Sequence, residues 1–155
     1  FINFIRQAYQ KVPEICIGTD VIVGFPGETD KHFADTVDLI TNEPIHYIHV
    51  FFFFLRHMAK SRLRGDIVPS YVISKRSQIL RDLSLRKRRM YNESLIGTTQ
   101  LTLIEDEKAD VWIGITDNYV KVKIKKNREI NLHNQMLPVK LLSIAGQGFI
   151  GEFKS

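Results

Sequence analysis

The sequence predicts an α/β unit followed by a small all-β barrel. Three observations carry that expectation. Ile17 and Val21-Ile22-Val23 form a short apolar run rich in β-branched residues, the pattern of a strand buried on both faces. Gly24-Phe25-Pro26-Gly27 breaks the run, Phe33, Val37 and Ile40 then recur at helical spacing, and Ile45 to Phe54 is apolar again. Strand, helix and strand in that order are a βαβ unit with parallel pairing. Beyond Leu95 the period changes from helical to alternating, as strands with one wet face require.

In chain order, Phe1, Ile5, Ala8, Tyr9 and Val12 fall on one helical stripe, and Pro13 ends that helix. The first strand follows. Thr29 is placed to cap the next helix, with Asp30 in its first turn, where negative charge suits the dipole. Asn42-Glu43-Pro44 stops it, and Ile45 to Phe54 is the second strand. Residues 55 to 69 read as a loop with Gly65 and Pro69. His46, His49 and His57 lie near it, at spacings that demand no metal. Ser70 to Tyr91 is a long basic helix, with Val72, Ile79, Leu83 and Met90 along one face. Asn92-Glu93-Ser94 ends it and sets the expected division into domains 1–93 and 94–155.

The second domain reads as five short strands. Leu101 to Ile104 is followed by a turn at Asp106-Glu107-Lys108, then Val111 to Ile115 and a turn at Asp117-Asn118. Tyr119 to Ile124 alternates cleanly, Lys125 to Gln135 is a polar loop, and Met136 to Ile144 and Phe149 to Phe153 complete the set. Closing such strands into a barrel removes exposed edges.

Composition narrows the function classes. The 155 residues carry a net charge of +5. From Arg56 to Arg89 there are 11 Lys/Arg against Asp66 and Asp82, a local excess of +9. Such a concentration points to a polyanionic partner, foremost nucleic acid, although a solvated helix face has the same composition. No apolar run approaches the ~18 residues of a membrane span. The chain shows no signal peptide, and its start on Phe1 without Met suggests a piece of a larger fold. A single cysteine, Cys16, allows no internal disulfide and fits a reducing cytoplasm; a buried, inert side chain is expected there. One thiolate does not hold an iron–sulfur cluster.

The stretch Thr19-Asp20-Val21-Ile22-Val23-Gly24-Phe25-Pro26-Gly27-Glu28-Thr29 closely resembles the radical S-adenosylmethionine methylthiotransferases that modify transfer RNA. In that family these words form a late strand and turn of a (β/α) barrel. Ile96-Gly97, Gly114-Ile115-Thr116-Asp117-Asn118-Tyr119 and Leu137-Pro138-Val139-Lys140 resemble the TRAM domain, a small RNA-binding β-barrel that ends such enzymes. The resemblance thus covers nearly the whole chain. It implies the C-terminal part of a radical S-adenosylmethionine barrel plus a five-stranded TRAM barrel. The implied activity is addition of a methylthio group to C2 of a modified adenosine beside the anticodon. His49-Val50-Phe51 looks more like the threonylcarbamoyladenosine branch than the isopentenyladenosine branch.

The resemblance also implies cofactors and sites. S-adenosylmethionine and 4Fe–4S clusters serve the parent enzyme, whose cluster cysteines lie in a Cys-x-x-x-Cys-x-x-Cys motif that this chain lacks. The strand Asp20 to Gly24 would line the S-adenosylmethionine pocket, with Ile22 against the adenine and Gly24 allowing close approach. After His49-Val50-Phe51, relatives read Pro-Phe/Tyr-Ser-x-Arg-x-Gly-Thr. Here Phe52, Phe54, Met58 and Ala59 replace Pro, Ser, Gly and Thr, while Arg56 is kept, a candidate partner for a carboxylate or phosphate. The implied partner is tRNA, with Arg76, Arg86, Lys87, Arg88, Arg89, Lys121 and Lys123 as phosphate contacts and Tyr119 as a stacking residue. Trp112 and Phe149 are further stacking candidates. The alternative function is a non-catalytic RNA-binding module, or an inactive truncated remnant, because the cluster cysteines are absent.

Overall fold

A computed structural model of the chain describes residues 1–54, 65–126 and 131–153. The chain divides into two compact units, Phe1–Met90 and Tyr91–Ser155.

The first unit holds α1 (Ile2–Lys11), β1 (Gly18–Val23), α2 (Asp30–Asn42), β2 (Tyr47–Phe52) and most of α3 (Ser70–Leu95). β1 and β2 pair in parallel, Gly18 opposite Tyr47 through Val23 opposite Phe52, as the βαβ pattern predicts. Helix α2 starts where expected. The Thr29 hydroxyl accepts from the His32 amide, and His32 Nδ1 accepts from the Thr29 amide, closing a capping box.

All three helices contribute to one core, on one face of the two strands. It joins Ile5 of α1, Ile40 of α2, Leu80 and Leu83 of α3, and Val23 and Ile48 of the sheet, with Val21, Phe33, Val37, Val50 and Ile73 packed against it. On α1 only Ile5 is buried; Phe1, Tyr9 and Val12 are exposed. The buried stripe of α3 differs from the expected one. Ile73, Arg76, Ser77, Leu80 and Leu83 turn inward, whereas Ile79 and Met90 face out. Apolar spacing alone misplaced the stripe, because two of its inward positions carry polar side chains.

The second unit is a closed barrel of β3 (Thr99–Lys108), β4 (Val111–Thr116), β5 (Lys121–Lys125), β6 (Met136–Ala145) and β7 (Gly148–Phe153), in the order β3-β4-β5-β7-β6. All pairs are antiparallel except β5 with β7. β3 continues through the expected turn at Asp106-Glu107-Lys108, helped by a register shift between Ile104 and Asp106. Ile104, Val122, Ile124, Val139, Leu141 and Phe149 fill the interior. Two glycines let β7 seat against its neighbours. A Cβ on Gly148 would collide with the Lys121 carbonyl oxygen, and one on Gly151 would lie within 2.7 Å of Val139 and Val122 methyls.

Candidate functional site

The face of β1 and β2 turned away from the helices carries the expected ligand residues. Asp20 and Ile22 alternate with the half-buried Val21 and the fully buried Val23, so both are exposed. Their partners across the sheet, His49 and Phe51, are exposed as well. Ile22 and Phe51 thus form an open apolar slab, each more than half exposed, beside the Asp20 carboxylate. At the other end of that face the Tyr47 ring lies over Gly18 and leaves no room for a Cβ there.

Gly24 is not open to a ligand in the way the sequence suggests. It is buried with φ of +83°, and a Cβ there would lie 2.5 Å from Ile73 Cδ1. Its N–H donates to Glu28 Oε2 at 2.7 Å. The glycine therefore serves the left-handed backbone and the seat of Ile73. The Gly27 N–H is likewise engaged, with the Asp66 carbonyl at 2.8 Å. Arg56 lies outside the described residues.

The basic helix separates into two kinds of cation. Arg76 is 5% exposed and bonded to Glu28 and Asp30, a placement that does not fit the RNA contact expected of it. Lys87 Nζ donates to the Thr41 and Glu43 carbonyl oxygens, so it satisfies the C-terminal end of α2. Burial lowers its pKa from the ordinary lysine value. Arg88 Nη1 donates to Cys16 Sγ at 2.9 Å, and its guanidinium sits 5.4 Å from the Tyr47 ring centre. Cys16 is half-buried and not wholly enclosed. Arg86 and Arg89 are exposed. A contiguous four-residue basic run on a helix points in every direction, so only part of it can meet one partner.

On the barrel, Lys121 and Lys123 alternate with the buried Val122 and Ile124 and face outward. Tyr119 stands at the turn before β5, 77% exposed, with φ of +60°. The Thr116 hydroxyl accepts from the Val120 amide and donates to Asn118 Oδ1, and Asn118 Nδ2 donates to Gln100 Oε1. This buried polar network fixes the turn, and it explains Thr116 and Asn118 of the Gly114 to Tyr119 wording as structural chemistry. Trp112 and Phe149, expected as stacking candidates, are 3% and 1% exposed and belong to the barrel core.

Sequence reasoning missed the acidic counterparts. Glu28 was legible only as part of a turn, and Asp30 only as a helix-dipole charge. Neither spacing nor composition signals that an arginine 46 to 48 positions later reaches both. Among the described residues no group of three or more His, Cys, Asp or Glu is placed to hold a metal ion. No described helix is long and apolar enough to cross a membrane.

No family model matches the chain. It is 34% identical over 153 residues to the tRNA-2-methylthio-N(6)-dimethylallyladenosine synthase of Rickettsia bellii (strain OSU 85-389), covering 98% of this chain and 34% of that protein. It is 30% identical over 136 residues to the threonylcarbamoyladenosine tRNA methylthiotransferase MtaB of Aquifex aeolicus, covering 83% of this chain and 32% of that one. The enzyme of the latter name from Chlamydia pneumoniae is 28% identical over 152 residues, 98% of this chain and 36% of its own. The chain spans about a third of the length of these relatives.

Proposed function

The chain is a sequence relative of the tRNA methylthiotransferases, and from that relationship we propose that it is the S-adenosylmethionine-facing end and RNA-binding tail of such an enzyme. The observation that carries the reading is similarity along 98% of the chain to enzymes whose names specify this chemistry. Residues 1–93 act as the late wall of the barrel and residues 94–155 as the TRAM-like RNA-binding domain.

Within that reading the open face of β1 takes the adenosyl ligand. Ile22, with Phe51 beside it, offers an apolar surface to the adenine, and Asp20 a carboxylate to a polar or cationic group. Gly24 shapes the turn at the strand's C-terminal end, where barrels of this class keep their chemistry. S-adenosylmethionine supplies a sulfonium whose cleavage drives the family's radical chemistry. The implied 4Fe–4S clusters need several thiolates, and this chain supplies one cysteine, so cluster ligation falls outside these residues. Arg86, Arg89, Lys121 and Lys123 neutralise tRNA phosphates, and Tyr119 stacks on an unpaired base. The substrate adenosine is the threonylcarbamoyl form, on the wording His49-Val50-Phe51, and the work is done in the cytoplasm, as the single cysteine suggests.

A second reading is a non-catalytic RNA-binding module, favoured by the lone cysteine and by the altered Phe52, Phe54, Met58 and Ala59. Purified residues 1–155 separate the readings. We expect salt-sensitive tRNA binding and no reductive cleavage of S-adenosylmethionine unless a cluster-bearing protein is added. Mass spectrometry of nucleosides from cells gaining or losing the gene then reports the substrate. A rise in methylthiolated isopentenyladenosine alone would overturn the branch assignment. No methylthio product of any kind would favour the module.

A further inference from the structure

In sequence, a strand followed by glycines and a helix start looks like a phosphate cradle. The structure uses these groups differently. The Gly24 amide is held by the Glu28 carboxylate and the Gly27 amide by the Asp66 carbonyl. Glu28 is in turn held by Arg76 of α3, whose Nη1 lies 2.9 Å from Oε2 and 3.1 Å from the Glu28 carbonyl oxygen. Arg76 Nη2 donates to Asp30 Oδ1 at 2.7 Å, and Phe33 packs its ring 5.4 Å from the guanidinium centre. One buried fork therefore grips the acid that fixes the start of the turn, the carbonyl near its end and the first carboxylate of α2. Its neighbour Ile73 fills the space beside Gly24.

We infer that Arg76 is a positioning residue for the ligand turn at the end of β1, acting through Glu28 on the Gly24 amide and touching neither ligand nor RNA. The inference rests on the reading of this face as the S-adenosylmethionine site. A guanidinium is needed because its planar fork reaches two carboxylates and a carbonyl at once; a lysine offers a single point of attachment.

Three variants of the 155-residue chain test it: Arg76→Met, Arg76→Lys and Glu28→Gln. Amide exchange at Gly24 and in the barrel, S-adenosylmethionine binding and tRNA binding are measured on each. In Arg76→Met, Gly24 exchange should rise and S-adenosylmethionine affinity fall on the order of tenfold, the size of a coupling within one hydrogen-bonded network. Barrel exchange, tRNA affinity and its salt dependence should not move. Arg76→Lys should recover part of the loss, and Arg76→Met/Glu28→Gln should be no worse than Arg76→Met alone. Unchanged Gly24 exchange in Arg76→Met, or additive losses in the double variant, would overturn the inference, as would a tRNA salt slope that falls with Arg76. Should Arg76→Met fail to fold, Glu28→Gln decides by the same Gly24 readout. If the parent chain does not bind S-adenosylmethionine while Arg76→Met still frees the Gly24 amide, the ligand assignment fails and the clamp stands.

Discussion

Neutralising outward-facing cations should change how tRNA binding responds to salt, and neutralising inward-facing ones should not. Consider Arg86→Gln/Arg89→Gln and Lys121→Gln/Lys123→Gln against Lys87→Gln. For single-stranded RNA the slope of log K against log salt is about −0.7 per phosphate neutralised, so each exposed double variant should flatten it by about 1.4. Between ~50 and ~200 mM salt that slope difference amounts to roughly sevenfold in affinity, and to about 50-fold if all four charges are removed. Lys87 already donates to two carbonyl oxygens at 2.8 and 3.1 Å, so its removal should leave the slope unchanged and lower thermal stability instead. Fluorescence anisotropy with a labelled anticodon stem–loop over that salt range, paired with a melting curve for each variant, makes the comparison. A Lys87→Gln slope as flat as that of Arg86→Gln/Arg89→Gln would refute the division of the helix into inward and outward cations. An unchanged slope in Lys121→Gln/Lys123→Gln would refute the barrel face as an RNA contact.

Three further outcomes are expected. Leu80, fully enclosed among all three helices, should cost about 2–5 kcal/mol when cut to Ala, read by urea unfolding; a loss under 1 kcal/mol, roughly the scale of surface changes, would contradict the core assignment. Gly24→Ala should destabilise through both its left-handed backbone, about 1–2 kcal/mol, and its collision with Ile73, so Gly24→Ala/Ile73→Ala should fare better relative to Ile73→Ala than Gly24→Ala does to the parent. His46 is buried, and its Nδ1 accepts from the Ile17 amide, so its pKa falls to about 4, first through burial and then through Lys87 and Arg88. The unfolded chain therefore takes up this proton before the folded one. The contribution of His46 to stability, read as the difference between the parent and His46→Gln, should be level above the ordinary histidine value of 6.5, fall as pH drops from there towards about 4, and level off below.

Much of this architecture was legible in the sequence because each strand and helix obeys its own local rule. The Thr29 cap and the βαβ order both follow from residues near one another, whereas β1, expected to be buried on both faces, buries only the Val21 and Val23 side and leaves Asp20 and Ile22 exposed. The five-stranded barrel was legible for the same reason, in the clean alternation of Lys121 to Ile124. What escaped were the long-range polar contacts. Arg76, Lys87 and Arg88 look alike as letters in a basic run, yet each meets a partner far away in the chain. Trp112 and Phe149 failed as stacking candidates because an aromatic in a small barrel is the cheapest way to fill its interior. Gly24 was recognised as special, but a motif that permits a ligand and one that seats Ile73 are spelled identically.

The parallel seam between β5 and β7 also has a kinetic meaning. The β3–β4, β4–β5 and β6–β7 pairs join consecutive strands and assemble locally. The seams β5–β7 and β3–β6 join segments separated by whole strands, and each must meet its loop-closure entropy before any contact repays it. The barrel should thus circularise last, around glycines that tolerate no Cβ. A substitution at Gly148, whose nearest obstacles are all in Lys121 across the β5–β7 seam, should show itself chiefly in the unfolding limb of a chevron, leaving the early hairpins to form at their usual rate.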